Sequence, residues 1–482
     1  MITPDSPDRQ YSTRLRTALV LTGSGTAGAY HAGVLRALHE AGIRIDLVAG
    51  RGAGAIGAAL SAIDGGARLW EADGIWRTPS ARAFYPWRTP LRLAGWALLA
   101  AAAVFALPLA LLALAVLVGL AGLLITLVGF EATGANLSSA YSGWIATLFA
   151  PEALPTVIPR LALFALVVAG AILAASLVAG LFRGGARRRS RQGVVWRLIG
   201  SPLSASSIVQ RTSTELWNLI RGAAQLAAPP RAELARRYTE LLGENLGQPG
   251  FRELLLAVHD MDARRDLVFA MLGATHRARF FARPSLADGA RQAEAFDLSG
   301  VAREHALDAL AAALTVPLAT EPELVTFSPE GPWRGETHRL CDRPGALARL
   351  LEEVVAAGVE QVVLLTAAPP PGQVHELSSE RSDLRGRAGE QLAAFESAGL
   401  RDVLENFAGR FARLFVIRPS HNPLGPLDFT GVFDQRSDRM HSMAELVDRG
   451  YEDAYRQFIE PVVGASGERI QSSPAVPGRV QL

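Results

Sequence analysis

Thr22-Gly23-Ser24-Gly25-Thr26-Ala27-Gly28 and, one helix later, Gly50-Arg51-Gly52-Ala53-Gly54 are the two glycine turns whose reading decides the fold. A short β-rich run, Thr17 to Leu21, stops at the first turn. A helix follows, with Val34, Leu35, Leu38 and Ala41 on one face and Gly42 as its stop. Ile43 to Ala49 is a second apolar run, and it leads into the second turn. A helix then runs from Ala55 to about Ile63. Strand, glycine turn and helix, repeated twice, open a parallel α/β fold.

The second turn has the form of a nucleophile elbow. Such an elbow holds its central residue on a sharp bend at a helix N-terminus. Gly50 and Gly54 make room for the bend, and nearby backbone N–H groups stabilise a developing oxyanion. A hydroxyl at the centre, deprotonated by a carboxylate, would attack an ester carbonyl. The central residue here is Gly52, which has no side chain, so that attack cannot start there.

The first turn also fits a dinucleotide fingerprint, Gly23-x-Gly25-x-x-Gly28. Asp46 falls about 20 residues on, where an acid would bind a ribose. That acid should close the second strand, however, and Asp46 opens it. A dinucleotide-binding membrane module stands as an alternative.

The arrangement resembles the patatin-like phospholipases more fully. The matching residues are Gly23, Gly25, Gly28, Gly33-Val34-Leu35, Leu38, Gly42, Asp46, Gly50 and Gly54. Ala311 to Pro317 is similar to the family's Ala-Ser-x-x-x-Pro segment, and Asp342 falls where the family places its catalytic aspartate. The resemblance covers about Thr17 to Ile63 and Ala278 to Ile417. It implies a three-layer α/β/α sandwich, with an oxyanion loop at Gly23, Ser24, Gly25 and Gly28 and a Ser–Asp dyad at positions 52 and 342. Several positions depart from the family pattern. Gly52 replaces the serine, Ser24 and Ala27 replace a glycine and a basic residue, and Asp342-Arg343-Pro344 replaces Asp-Gly-Gly. Arg343 is placed to pair with Asp342 and lower its basicity. Asp288-Gly289-Ala290 resembles the acid motif but comes too early, and reads as a loop.

Membrane signals lie inside the chain. Leu93 to Val128 carries no charge, and a second apolar run extends from Leu161 to Phe182. Each exceeds the roughly 20 residues that span a hydrocarbon core. The first would reach roughly 50 Å as one helix. It reads as one long span, tilted or kinked at Pro108, not as two. Gly129 to Arg160 reads as a loop, with Tyr141 and Trp144 suited to an interface. Arg77, Arg82, Arg88 and Arg92 precede the first span; Arg183, Arg187, Arg188, Arg189 and Arg191 follow the second. Both flanks are therefore expected on the cytoplasmic side.

The expected organisation is an N-terminal patatin-like part over 14–88, a transmembrane hairpin inserted over 89–192, a helical region over 193–275, a C-terminal patatin-like part over 276–460 and a disordered tail over 461–482. Ala278 to Ala282 reads as a strand. The N-terminus, Met1 to Thr13, is polar and lacks the apolar core of a signal peptide.

Composition narrows the chemistry. The 482 residues carry a net charge of +2, which gives no overall basic field for nucleic acid. All 48 basic residues are arginine, so lysine Schiff-base and P-loop chemistry are excluded. Cys341 is the one cysteine, which excludes an intrachain disulfide and a thiolate zinc cage. The histidines show no metal-ligand spacing, and no cofactor is expected. His31 reads as a helix-surface residue near the site. The function these features support is a catalytically impaired, membrane-anchored protein of the lipid acyl hydrolase type. Its partners would be membrane lipids, the bilayer and a protein. An active hydrolase would need another nucleophile, from Ser24, Thr26, Ser61 or Cys341, or water activated by Asp342. Gly52→Ser is expected to restore weak hydrolysis if the rest of the site survives.

Overall fold

Residues in the central strands alternate between two apolar layers. Leu19, Leu21, Leu254, Leu256, Val258, Val363 and Leu365 face one hydrophobic cluster. Ala18, Val20, Leu255, Ala257, Val362 and Leu364 face another. This period of two, apolar on both faces, is what a sheet covered by helices on each side requires. The computed structural model describes residues 10–148, 154–182, 200–283, 293–331, 333–368, 384–420, 424–433 and 439–463. The chain divides into two units, one built from the segments up to Pro86 and from Leu203 onward, the other Trp87–Pro202.

The first unit begins β1 (Thr17–Leu21), α1 (Ala27–Glu40), β2 (Leu47–Gly50) and α2 (Gly54–Ser61), with a short α3 (Ala67–Trp70) behind. Among the described residues, seven more strands of the main sheet follow the second unit: β3 (Glu253–Asp260), β4 (Arg265–Met271), β5 (Ala293–Asp297), β6 (Glu323–Thr326), β7 (Thr337–Cys341), β8 (Gln361–Leu365) and β9 (Arg413–Ile417). The sheet runs β5-β4-β3-β2-β1-β8-β9, with β7 attached to β3 and β6 to β7. Strands β3, β2, β1, β8 and β9 are mutually parallel; β4 and β7 are antiparallel to β3. Helices on both faces complete the three-layer α/β/α sandwich read from the sequence.

One face carries α1 and the Met443–Ala454 helix, which cross with their backbones in contact. A Cβ on Gly33 would lie 1.8 Å from the Val447 carbonyl oxygen, and one on Gly450 would lie 2.1 Å from that of Tyr30. Ser442 starts the second helix with a reciprocal capping box to Glu445, as the sequence suggested. The Leu347–Ala356 and Leu384–Phe407 helices cover the other face through Leu350, Leu351, Val354, Leu400, Val403 and Phe407.

Three expectations are corrected. The region 193–275 is not all helical: after helices Ser206–Arg221 and Arg231–Asn245 come β3 and β4, at the centre of the sheet. Strands buried on both faces are continuous apolar runs, which periodicity cannot tell from helix. Residues Ala274–Phe281 form a helix, not a strand, started by Gly273 directly after β4. The third correction lies in the second unit.

There, α4 (Thr89–Leu127) is one uninterrupted helix. Within it, Thr89–Leu107 and Leu109–Leu127 are each long and apolar enough to cross a membrane. The expected loop is instead α5 (Glu131–Leu148), followed by α6 (Leu154–Phe182). Glycines let α5 close on α4: a Cβ on Gly134 would lie 2.4 Å from the Gly122 carbonyl oxygen, and the Tyr141 hydroxyl donates to the Leu111 carbonyl at 2.6 Å. α4 packs against both α5 and α6. Ala94, Ala101, Ala162 and Ala169 are buried between helices, while most of the large apolar side chains point outward. The arginine run 183–191, Asp288-Gly289-Ala290 and the tail beyond 463 lie outside the described residues.

Candidate functional site

The C-terminal ends of β1 and β2 bring the two glycine turns side by side, at the edge where ligands bind parallel sheets. Gly52 has φ +56°, the left-handed backbone of an elbow, which glycine adopts without strain. The flanking glycines are sterically required. A Cβ on Gly50 would lie 2.7 Å from the Gly54 carbonyl oxygen, and one on Gly54 2.4 Å from that of Leu21.

Asp342 follows β7 directly and faces the elbow. Its Oδ2 is 3.0 Å from where a Cβ on residue 52 would stand. The two positions that the resemblance assigned to a dyad thus lie side by side, although they are far apart in the chain. Ser24 of the glycine loop joins them, donating its hydroxyl to Asp342 Oδ2 at 3.1 Å.

The sequence did not reveal what holds Asp342. Arg51, fully buried, donates from Nη1 to Asp342 Oδ1 at 3.0 Å and Oδ2 at 2.9 Å. Its Nη2 pairs with Glu396 of the Leu384–Phe407 helix. Arg343, expected to pair with Asp342, turns to Asp266 instead, with Nε 2.9 Å from Oδ1. It leaves β7 in extended conformation, which carries its side chain to the opposite side from that of Asp342. Glu396 lies beyond the reach of motif reasoning, because nothing in its own helix marks it. A charged residue in the elbow, at Arg51, was the one available signal.

Electrostatics at this cluster are unbalanced, with two carboxylates on one guanidinium. Burial, with Asp342 nearby, raises the Glu396 carboxyl above its usual range despite Arg51. His31 is fully buried, not on the helix surface, and burial lowers its imidazole to about 3. It is therefore neutral and a feeble base. Burial likewise pushes the Cys341 thiol up to about 12, which removes thiolate chemistry.

The oxyanion position is filled. A hole at an elbow uses the N–H of the residue after the nucleophile, here Ala53. That N–H already donates to the Gly23 carbonyl at 2.8 Å. The same oxygen is 2.2 Å from where a Cβ on Gly52 would be. The cavity beside Arg51, lined by Thr22, Thr366, Glu396 and Leu400, measures about 10 Å³, room for roughly one water. No cluster of three or more metal-ligating side chains occurs among the described residues. Asp46, the candidate ribose ligand, accepts from the Thr17 N–H at 2.9 Å, at the end of the sheet opposite the glycine turns.

Residues 19–164 match the family model described as patatin-like phospholipase. No curated protein matches the chain. Among solved structures, that of VipD from Legionella pneumophila is similar at 11% identity and a TM-score of 0.29, covering 94% of this chain and 69% of that one. Likeness at that level carries nothing further.

Proposed function

We propose that the chain, whose residues 19–164 match the patatin-like phospholipase model, is a membrane-anchored member of that family whose hydrolytic site has been converted into a structural lock. In this reading it binds lipid or a protein partner at the membrane instead of hydrolysing esters. One observation supports this above the rest: the Gly23 carbonyl occupies both the donor of the oxyanion hole and the space of the missing side chain.

The chemistry follows from that. Ester hydrolysis needs a nucleophile, a base and donors aimed at the developing oxyanion. Gly52 supplies no nucleophile. Asp342 accepts from Arg51 and Ser24, so its lone pairs are engaged and its charge is compensated. A serine hydroxyl at position 52 would have to compete with these donors for the carboxylate. Ala53 has no free N–H to offer. Restoring the serine alone leaves the last two defects in place.

Anchoring rests on the two span-length apolar stretches of α4 and their outward-facing side chains. Arginines at 77, 82, 88 and 92 favour the cytoplasmic side for that flank. A second reading keeps activity and makes Ser24 the nucleophile, favoured by its hydrogen bond to Asp342. A fluorophosphonate probe separates the two. The lock predicts no labelled serine in the folded protein, whereas labelling lost in Ser24→Ala would establish the second reading.

A further inference from the structure

We infer that one edge of the Arg51 guanidinium is a receptor for an alkyl carboxylate, and that Glu396 on the Leu384–Phe407 helix is the built-in carboxylate such a ligand displaces. The inference rests on the reading above that this site binds instead of hydrolysing. All the residues concerned belong to the first unit.

Nη1 of Arg51 is committed to both oxygens of Asp342. Nη2 and Nε form the side edge of the guanidinium, whose two parallel N–H groups match the two oxygens of a carboxylate. Glu396 uses half of that edge. It accepts from Nη2, while Nε is buried and has no acceptor among the described residues. A buried donor left without a partner is costly, so the edge has binding capacity that Glu396 leaves unused. Arg51 and Glu396 line the small cavity described above together with Pro344, Leu347 and Leu400. These apolar side chains would cover an aliphatic chain attached to the anion. With about 10 Å³ inside, the cavity admits no such ligand until Glu396 moves.

The helix that carries Glu396 is fastened unevenly. Its C-terminal half is held by Leu400, Val403 and Phe407, which join the apolar cluster of the Leu347–Ala356 helix. Between Gly386 and Ser397, Glu396 is the one buried residue; Ala388 and Leu392 are only partly buried. Gly399 stands between the two halves, where a Cβ would meet nothing within 4 Å. No crowding calls for glycine there, and a glycine inside a helix weakens it through backbone freedom. The front of the helix is therefore a cap latched by one carboxylate, with a hinge behind it. Exchange keeps the charge count. One carboxylate leaves Arg51 as another arrives, so the buried guanidinium is never stripped of a partner. The incoming anion binds through two N–H groups where Glu396 uses one.

The test follows backbone hydrogen exchange over 386–398 in purified full-length protein in detergent, with hexanoate, acetate, inorganic phosphate or hexanol as probes. The proposal expects hexanoate to speed exchange there saturably, by lifting the cap, and acetate to need higher concentrations. Hexanol and phosphate should have no effect. Glu396→Gln should lower the half-maximal hexanoate concentration about tenfold, because a neutral amide holds Arg51 less tightly than a carboxylate. Gly399→Ala, which stiffens the hinge, should raise it. No response to hexanoate in either the natural protein or Glu396→Gln overturns the receptor. Hexanol or phosphate acting as well as hexanoate overturns carboxylate recognition. An unchanged half-maximal concentration in Glu396→Gln overturns displacement, and an unchanged one in Gly399→Ala overturns the hinge. Ester hydrolysis by the same preparation is a separate readout: it would overturn the reading on which this inference rests, whatever the exchange data show.

Discussion

A guanidinium held between two carboxylates away from water is stable only while the partners stay together. Arg51 is that guanidinium. Arg51→Ala strands Asp342 and Glu396, and should cost about 3–5 kcal/mol, as for other broken buried pairs; denaturant unfolding in detergent measures it. Glu396 carries a pH signature of definite sign. Its folded-state pKa is raised, so the folded protein holds the proton at pH values where the unfolded chain has released it. This contribution is fully present below the ordinary glutamate value of about 4.3 and is lost as pH rises through the higher folded value. The stability difference between the natural protein and Glu396→Gln should therefore change as pH rises from 4 upward, at the natural protein's expense. Parallel curves would remove Glu396 from the account. Gly52→Ser adds a Cβ 2.2 Å from the Gly23 carbonyl. It should destabilise by about 1–3 kcal/mol, as overpacking does, and yield no esterase activity. The turn at Gly52 was legible in the sequence because glycine spacing marks a tight strand-to-helix bend, and the nearness of Asp342 to it agrees with the resemblance. Arg51 and Glu396 were not paired there, since a contact between an elbow and a distant helix leaves no periodic trace.

Among elements, the crossing of α1 with the Met443–Ala454 helix depends on two glycines. Gly33→Val would drive its side chain into the Val447 carbonyl, 1.8 Å from the Cβ position, and should lower the melting temperature sharply. Gly243→Ala, with only the Met271 sulfur 4.0 Å away, is the contrast. It should gain about 0.5–1 kcal/mol through helix propensity. The strands β1, β2, β8 and β9 and the Leu347–Ala356 helix were legible because turns or polar residues bracket them. β3 and β4 were not, since their apolar runs lack the alternation of a half-buried strand. α5 was read as a loop because its Ser, Asn and Gly content hides a helix that α4 stabilises by close packing.

At the scale of the molecule, the sheet is complete only when strands from both sides of the inserted unit meet: β2 pairs with β3 across it. The hydrogen bond from Ser204 to Pro86 closes that gap, so the insertion is replaceable by a short flexible link. A variant lacking 87–202 should fold, unfold cooperatively and leave the membrane fraction, whereas the full chain should resist alkaline extraction. A deletion variant that still sediments with membranes would contradict anchoring through the inserted unit.

The lock itself is tested most directly by turnover. Purified full-length protein is assayed on phospholipid vesicles and short-chain esters beside Asp342→Ala. The account predicts that neither protein exceeds the uncatalysed background. Robust hydrolysis by the natural protein, abolished by Asp342→Ala, would contradict it.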